Sequence, residues 1–293
     1  MKPTLSELIA QGKTLVSDGA WGTFLQAKGL EAGKCPEQWN DIHPDEVLDI
    51  ARGYIAAGAD MIETNSFGGN RFKLEAFELE DQVYLLNRKA AEISRQAAGE
   101  DKYVLGSVGP TGKMLMMGDV TEEELYNAFK EQAMALYEGG ADAIIIETMT
   151  AIDEACIAVR AARENTPCEV ICTMTFDHLL TGDYRTMMGV SPAEMVVALK
   201  ESGAHIVGAN CSNGIQGMIT ITEEIRSVDR EIPVLIHANA GLPMLQGTCT
   251  VFPESPEMMA AFAPQLAKAG ANIIGGCCGT TPEHIHKLVE VLK

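Results

Sequence analysis

Three cysteines sit where strand-like segments end: Cys211 in HIVGANCS, and the adjacent pair Cys277 and Cys278 in NIIGGCCGTTPEH. Thiols gathered at the ends of apolar strands are most simply ligands for a soft metal ion, zinc first among them. Three thiolates leave such a zinc unit with a net charge of about −1, which makes it a poor Lewis acid for hydrolysis. It can still take the proton from an incoming thiol, whose free pKa is about 8.5, and keep it as an electron-rich thiolate at neutral pH. The chemistry implied is alkyl transfer to a substrate sulfur. Vicinal cysteines on a regular strand point to opposite faces, so joint ligation by Cys277 and Cys278 requires the strand to have ended and turned. Gly275, Gly276 and Gly279 permit that turn. A vicinal disulfide, or two buried thiols without a role, fits the pair taken alone.

The elements that must carry these residues follow from a repeat. AAGADMIETNSF, EGGADAIIIETM, ESGAHIVGANCS and KAGANIIGGCCG each end a helix at a glycine (Gly58, Gly140, Gly203, Gly270) and start a short β-branched run. The glycines are 82, 63 and 67 residues apart, about twice the length of one βα unit, so these are every second strand of a longer alternation. The strands between them begin near Thr14, Tyr103, Glu169 and Ile232. Helical stretches separate them, among them HPDEVLDIARGYIAAG, TEEELYNAFKEQAMALYEGG and SPAEMVVALKESG, opened by Ser or Thr caps or a first-turn Pro. Eight βα units predict one (β/α)8 TIM barrel spanning residues 1–293 as a single domain. Its active site belongs at the C-terminal strand ends. Those ends read Asp18-Gly19-Ala20-Trp21, Glu63-Thr64-Asn65, Gly109-Pro110-Thr111, Glu147-Thr148, Asn210-Cys211, Asn239-Ala240-Gly241 and Cys277-Cys278. The three thiols and three carboxylates therefore converge on one rim.

Composition agrees and excludes. Of the 293 residues 46% are hydrophobic and only 5% aromatic, which suits a barrel core of Val, Ile, Leu, Ala and Met. The formal net charge of −19 repels nucleic acid and anionic membrane surfaces. No run approaches the roughly 18 apolar residues of a membrane span, and MKPTLSELIAQGK has no continuous apolar core, so a cytoplasmic location is expected. The eight cysteines are irregularly spaced and several lie inside apolar elements, which points to reduced thiols. Cys156, Cys168 and Cys172 read as packing; Cys35 and Cys249 fall in loop-like segments and carry no assignment.

Taken in order, DGAWGT, ETNSF, GPTG, ETM with the downstream Asp153, GANC, NAGLP and GGCCGTTPEH resemble the homocysteine S-methyltransferase family over residues 10–293. The likeness is greatest to the homocysteine-binding domain of cobalamin-dependent methionine synthases. It implies zinc on Cys211, Cys277 and Cys278, with homocysteine entering as a further thiolate. It further implies that Asp18, Gly19 and Ala20 help hold the amino acid and that Glu147 receives its ammonium group, a role for which a buried carboxylate is suited. Glu63 and Asn65 serve either the substrate or rim hydrogen bonding. Asn239 either fills the fourth zinc position until the substrate thiol displaces it or merely forms a turn before Gly241. Where such synthases commonly read Tyr-Pro-Asn, this chain has His237-Ala238-Asn239, so His237 is either a packed barrel histidine or a proton shuttle.

The sequence ends after HIHKLVEVLK, the expected eighth helix, so the methyl donor is expected from outside, as methylcobalamin on a separate corrinoid protein. A small onium donor such as S-methylmethionine or betaine is the alternative. It would need an aromatic cage, for which the rim motifs offer Trp21, Trp39 and few other aromatics. Two further classes compete: a phosphate-handling barrel, since a GG turn after strand eight is where barrels grip phosphate, and a non-catalytic zinc- or corrinoid-protein-binding barrel.

Overall fold

The computed structural model describes residues 2–246 and 249–293, the side chains of Gln246 and Cys249 excepted. Eight parallel strands form one sheet: β1 (Leu15–Val16), β2 (Met61–Glu63), β3 (Tyr103–Val108), β4 (Ala143–Met149), β5 (Glu169–Met174), β6 (Ile206–Gly214), β7 (Val234–Asn239) and β8 (Ile273–Gly276). Neighbours pair in sequence order from β2 to β8, and β8 returns to β1. Across the β1–β2 seam the Asp60 N–H donates to Val16 O at 2.7 Å, and Asp60 Oδ2 accepts the Val16 N–H at 2.9 Å. With helices between the strands, this is the expected (β/α)8 barrel.

Side-chain alternation along the strands explains both core and site. Outward residues such as Val16, Ile62, Ile144, Ile146, Val170, Val207, Ile236 and Ile274 are buried beneath the helices in one apolar cluster. Inward residues at the start of the strands, Leu15, Met61, Leu105, Ile145, Ile171, Ile206, Leu235 and Ile273, form a second cluster, with Leu5 of the N-terminal helix Leu5–Ala10 in contact with it. Each such side chain contributes on the order of 1.5–3 kcal/mol through burial. Two residues further along, the same inward positions are Ser17, Glu63, Ser107, Glu147, Thr173, Gly208, His237 and Gly275. The barrel interior thus changes from hydrocarbon to polar in one step of the pleat.

The repeat has a physical cause. Its four glycines, Gly58, Gly140, Gly203 and Gly270, all have φ between 96° and 119°, a left-handed turn that only glycine adopts without strain. Two residues on, Asp60, Asp142, His205 and Asn272 each accept a backbone N–H from the neighbouring strand: Val16, Val104, Val170 and Val234, at 2.8–2.9 Å. Four chemically different sequences therefore perform one operation. The expected helices are present as Pro44–Ala56, Glu122–Glu138 and Pro192–Glu201, the last two opened by capping boxes at Thr121 and Ser191.

Two short hairpins interrupt the alternation: Asp177–His178 with Tyr184–Arg185 after β5, and Met244–Gln246 with Cys249–Val251 after β7. Cys249 thus lies on a hairpin strand rather than in plain loop. No helix among the described residues is long and apolar enough to cross a membrane.

Candidate functional site

Cys211 follows Asn210 where the β6–β7 register shifts, and both Cys211 and Ser212 have left-handed backbones, at φ 64° and 55°. That conformation costs roughly 1–2 kcal/mol per non-glycine residue and persists only where surrounding bonds enforce it. Here Ser212 Oγ lies 2.8 Å from Thr175 Oγ1, and Asn213 Nδ2 donates to Phe176 O at 2.6 Å. On the other side β8 stops at Gly276 and the chain turns, as joint ligation requires. The Cys277 N–H donates to Ala238 O at 2.7 Å, and Thr280 Oγ1 donates to Cys277 O at 2.8 Å.

All three sulfurs consequently lie within 4.8 Å of one another, with Cys211 Sγ and Cys278 Sγ 3.9 Å apart. Sulfurs about 2.3 Å from a tetrahedral zinc would be separated by about 3.8 Å, whereas a disulfide requires about 2.05 Å. The cysteines are free thiols spaced for an ion, not for a bond. Hydrogen bonds from Cys277 and Cys278 push the Cys211 thiol down to about 3, while Cys278, donating to Cys211, is pushed up to about 12. The trio readily holds one negative charge, and a metal must displace the remaining protons. Beside it Asn239 is buried and its side chain reaches Cys211, yet its Oδ1 has no hydrogen-bond partner. A buried acceptor without a donor, on a side chain that reaches the thiol trio, fits an ion with an exchangeable fourth ligand.

A cavity of about 270 Å³ opens above these sulfurs, walled by Gly19, Ala20, Trp21, Glu63, Asn65, Ser107, Glu147, Thr148, His237 and the three cysteines, among others. No Lys or Arg lines it. Larger hollows, of about 490 and 820 Å³, lie by Arg71 and Glu131 on the helix surface and by Lys2 and Asp60 at the opposite end, without such convergence. Glu147 Oε1 accepts Ser107 Oγ at 2.5 Å, and its Oε2 lies 3.3 Å from Asn210 Nδ2. Burial pushes the Glu147 carboxyl well above its ordinary range, and the Glu63 charge adds to the shift. Glu63 is raised by burial and by Asp18; its Oε1 stands 3.3 Å from His237 Nδ1 without forming a hydrogen bond. Burial lowers the His237 imidazole against the pull of Asp18 and Glu147, which favours its neutral form. The wall is thus acidic and short of a cation.

Among the other expected residues, Asp18 sits behind the cavity, where Oδ2 accepts Trp21 Nε1 at 2.9 Å and the Glu63 N–H at 2.8 Å. Asn65 lines the cavity but commits its Nδ2 to Pro36 O and Asn40 Oδ1. Trp39 is buried in the core against His43 rather than at the rim. Ser107 and Glu37 were not singled out by sequence, and Asn210 entered only as the strand-end residue before Cys211. Glu37 reaches the cavity from a loop, accepting the Gly68 N–H at 2.6 Å, and only its place beside Cys35 and Pro36 hinted at a turn.

The raised carboxyls make a signed expectation. A carboxyl favoured in its neutral form by the fold binds more protons folded than unfolded, so stability falls as pH rises above the ordinary value near 4.5. Glu63→Gln should therefore match the parent protein in acid and become progressively more stable than it between about pH 5 and pH 8. Thermal melts across that range check this, and a gap independent of pH would contradict it.

A parallel barrel whose rim gathers three thiols able to hold a metal ion beside an acidic cavity narrows the families to which the chain can belong. The chain belongs to the homocysteine S-methyltransferase family, whose sequence model matches residues 15–292. Methionine synthases of Mycobacterium tuberculosis and Mycobacterium leprae are each 34% identical over 306 aligned positions, covering 98% of this chain. The chain spans about a quarter of the length of those relatives, 25%. The fold also matches the metallated form of the Escherichia coli homocysteine methyltransferase MmuM, with a TM-score of 0.79, 22% identity and coverage of 96% of this chain and 97% of that one.

Proposed function

We propose that this protein methylates the thiol of homocysteine to give methionine, using zinc held by Cys211, Cys277 and Cys278. The observation that carries the reading is the sulfur trio, three thiols within 4.8 Å of one another at the floor of a cavity walled by Glu147 and Glu63. Bound there, zinc supplies a substrate sulfur that stays ionised at neutral pH. The chain's own groups do the rest. Glu147, held by Ser107 and Asn210, receives the substrate ammonium, which supplies the cation the wall lacks. Glu63 stands next to it as a second acceptor. Gly19 and Ala20 bring the backbone close to the amino acid, and Asp18 fixes Trp21 and Glu63 around it. Asn239 Oδ1, buried without a hydrogen-bond partner, would help the three sulfurs hold the ion until the substrate sulfur takes its place. The sulfur then attacks the methyl carbon in line, and the leaving group departs with the bonding electrons. The phosphate reading lacks any lining cation to support it.

For the donor we propose methylcobalamin on a separate corrinoid protein. Met116, Met117, Leu180, Met187, Leu242, Met244 and Leu245 are 57–110% exposed, whereas no other large apolar side chain among the described residues exceeds 52%. All seven lie in the connections that follow β3, β5 and β7, at the same barrel end as the sulfurs. Exposed apolar surface of this extent marks a macromolecular contact, and methionine suits an adaptable one. A small donor would have no use for it. Initial rates of methionine formation, at equal zinc loading, with protein-bound methylcobalamin, free methylcobalamin, S-methylmethionine and betaine test both parts. The expected order puts protein-bound methylcobalamin first. A clear preference for either onium donor overturns the corrinoid assignment, and no methionine from any donor overturns the function.

A further inference from the structure

Asn210 is fully buried at the last regular β6–β7 pair before the register shifts, and its side-chain amide is committed on every side. Oδ1 accepts the Thr148 N–H at 2.8 Å and Thr173 Oγ1 at 2.7 Å. Nδ2 donates to Thr148 Oγ1 at 2.7 Å and points between Glu147 Oε2, at 3.3 Å, and Cys277 Sγ, at 4.0 Å. One planar group therefore touches both a carboxylate of the cavity wall and a sulfur of the metal trio.

We infer that Asn210 is a positioning residue that fixes the span between the ammonium-receiving carboxylate and the thiol cluster, so that the site selects homocysteine over cysteine, its homologue one methylene shorter. The inference rests on the homocysteine reading above. With two donors on Oδ1 the amide can neither flip nor swing, so its two N–H vectors are set. One is spent on Thr148, whose left-handed backbone at φ 59° depends on the same amide. The other leaves Glu147 a fixed neighbour on Oε2, while Ser107 pins Oε1. The carboxylate then cannot slide toward the sulfurs to meet a shorter substrate. A residue that merely terminated a strand would need the Thr148 bonds but not the approach to Glu147 and Cys277. An amide N–H near a ligand sulfur also steadies that ligand's orientation.

Asn210→Ala removes the amide, and Thr173→Val removes one of the two bonds that orient it while keeping the shape of the side chain. Homocysteine and cysteine are titrated calorimetrically into zinc-loaded protein, which needs no methyl donor, with zinc content measured alongside. The unaltered protein should prefer homocysteine by roughly tenfold or more, the discrimination typical of one methylene held at both ends. Asn210→Ala should bring that ratio to within about threefold, mainly by weakening homocysteine, and Thr173→Val should fall between, both with zinc retained. If Asn210→Ala fails to fold, Thr173→Val alone decides. A ratio unchanged in the variants, or an equal loss for both thiols, overturns the inference while leaving the homocysteine reading intact. Failure of the unaltered protein to bind either thiol overturns both.

Discussion

Replacing Cys277 and Cys278 together by serine should leave the purified protein without zinc and without methyl transfer, while its far-ultraviolet circular dichroism stays that of the parent. The unaltered chain should carry about one zinc. Tight zinc binding by thiolates depends on the full ligand set. A serine hydroxyl is not a thiolate at neutral pH, so each single exchange, Cys211→Ser included, should already abolish tight binding. The fold should survive, because the cysteines lie past the apolar layer of Leu15, Ile145, Ile171 and Ile273 that fills the barrel. Elemental analysis gives the result. Full zinc occupancy in the double variant would remove the basis of the mechanism.

Glu147→Gln should weaken homocysteine binding roughly ten- to a hundredfold, about 1.5–3 kcal/mol, with zinc content unchanged. The exchange keeps the shape that fits between Ser107 and Asn210 but deletes the charge proposed to meet the substrate ammonium. A pH effect goes with it. Because burial raises the Glu147 carboxyl, it must lose its proton to pair with an ammonium, so part of the rise of affinity with pH should vanish in the variant. Calorimetric titration at several pH values measures both, and an unaltered dissociation constant would assign Glu147 to the structure of the rim alone.

The barrel was legible because parallel strands buried on both faces read as short apolar runs, and because the glycines before four of them need left-handed backbone. The thiol trio was legible because sulfur at strand ends has few other uses. Harder to read was anything set by contact across the barrel. Asn210 meets Glu147, Thr148, Thr173 and Cys277 through space, and nothing in GANC distinguishes it from a strand-ending asparagine. Glu37 arrives from a loop ahead of β2, so strand counting passes over it. The left-handed Cys211 and Ser212 carry no glycine to announce them, since the bonds to Thr175 and Phe176 that enforce them are remote in sequence. The hairpin after β5 is only two residues wide on each side, too short for alternation to register.

The four acceptors that follow the repeat glycines reach beyond local stability. Asp60, Asp142, His205 and Asn272 tie their strands to β1, β3, β5 and β7 with one bond type made by a carboxylate, an imidazole or an amide. The joint tolerates any acceptor of suitable reach, so the barrel is built as four quarters with a common connector. Each connector lies within its own strand pair and at the strand starts, so the loops at the opposite, C-terminal ends can differ from pair to pair without disturbing it. The three thiols proposed to hold zinc reside in the β5–β6 and β7–β8 pairs, and Glu63 and Glu147, proposed to face the amino acid, in the β1–β2 and β3–β4 pairs, so metal site and recognition site are carried by different halves of the barrel.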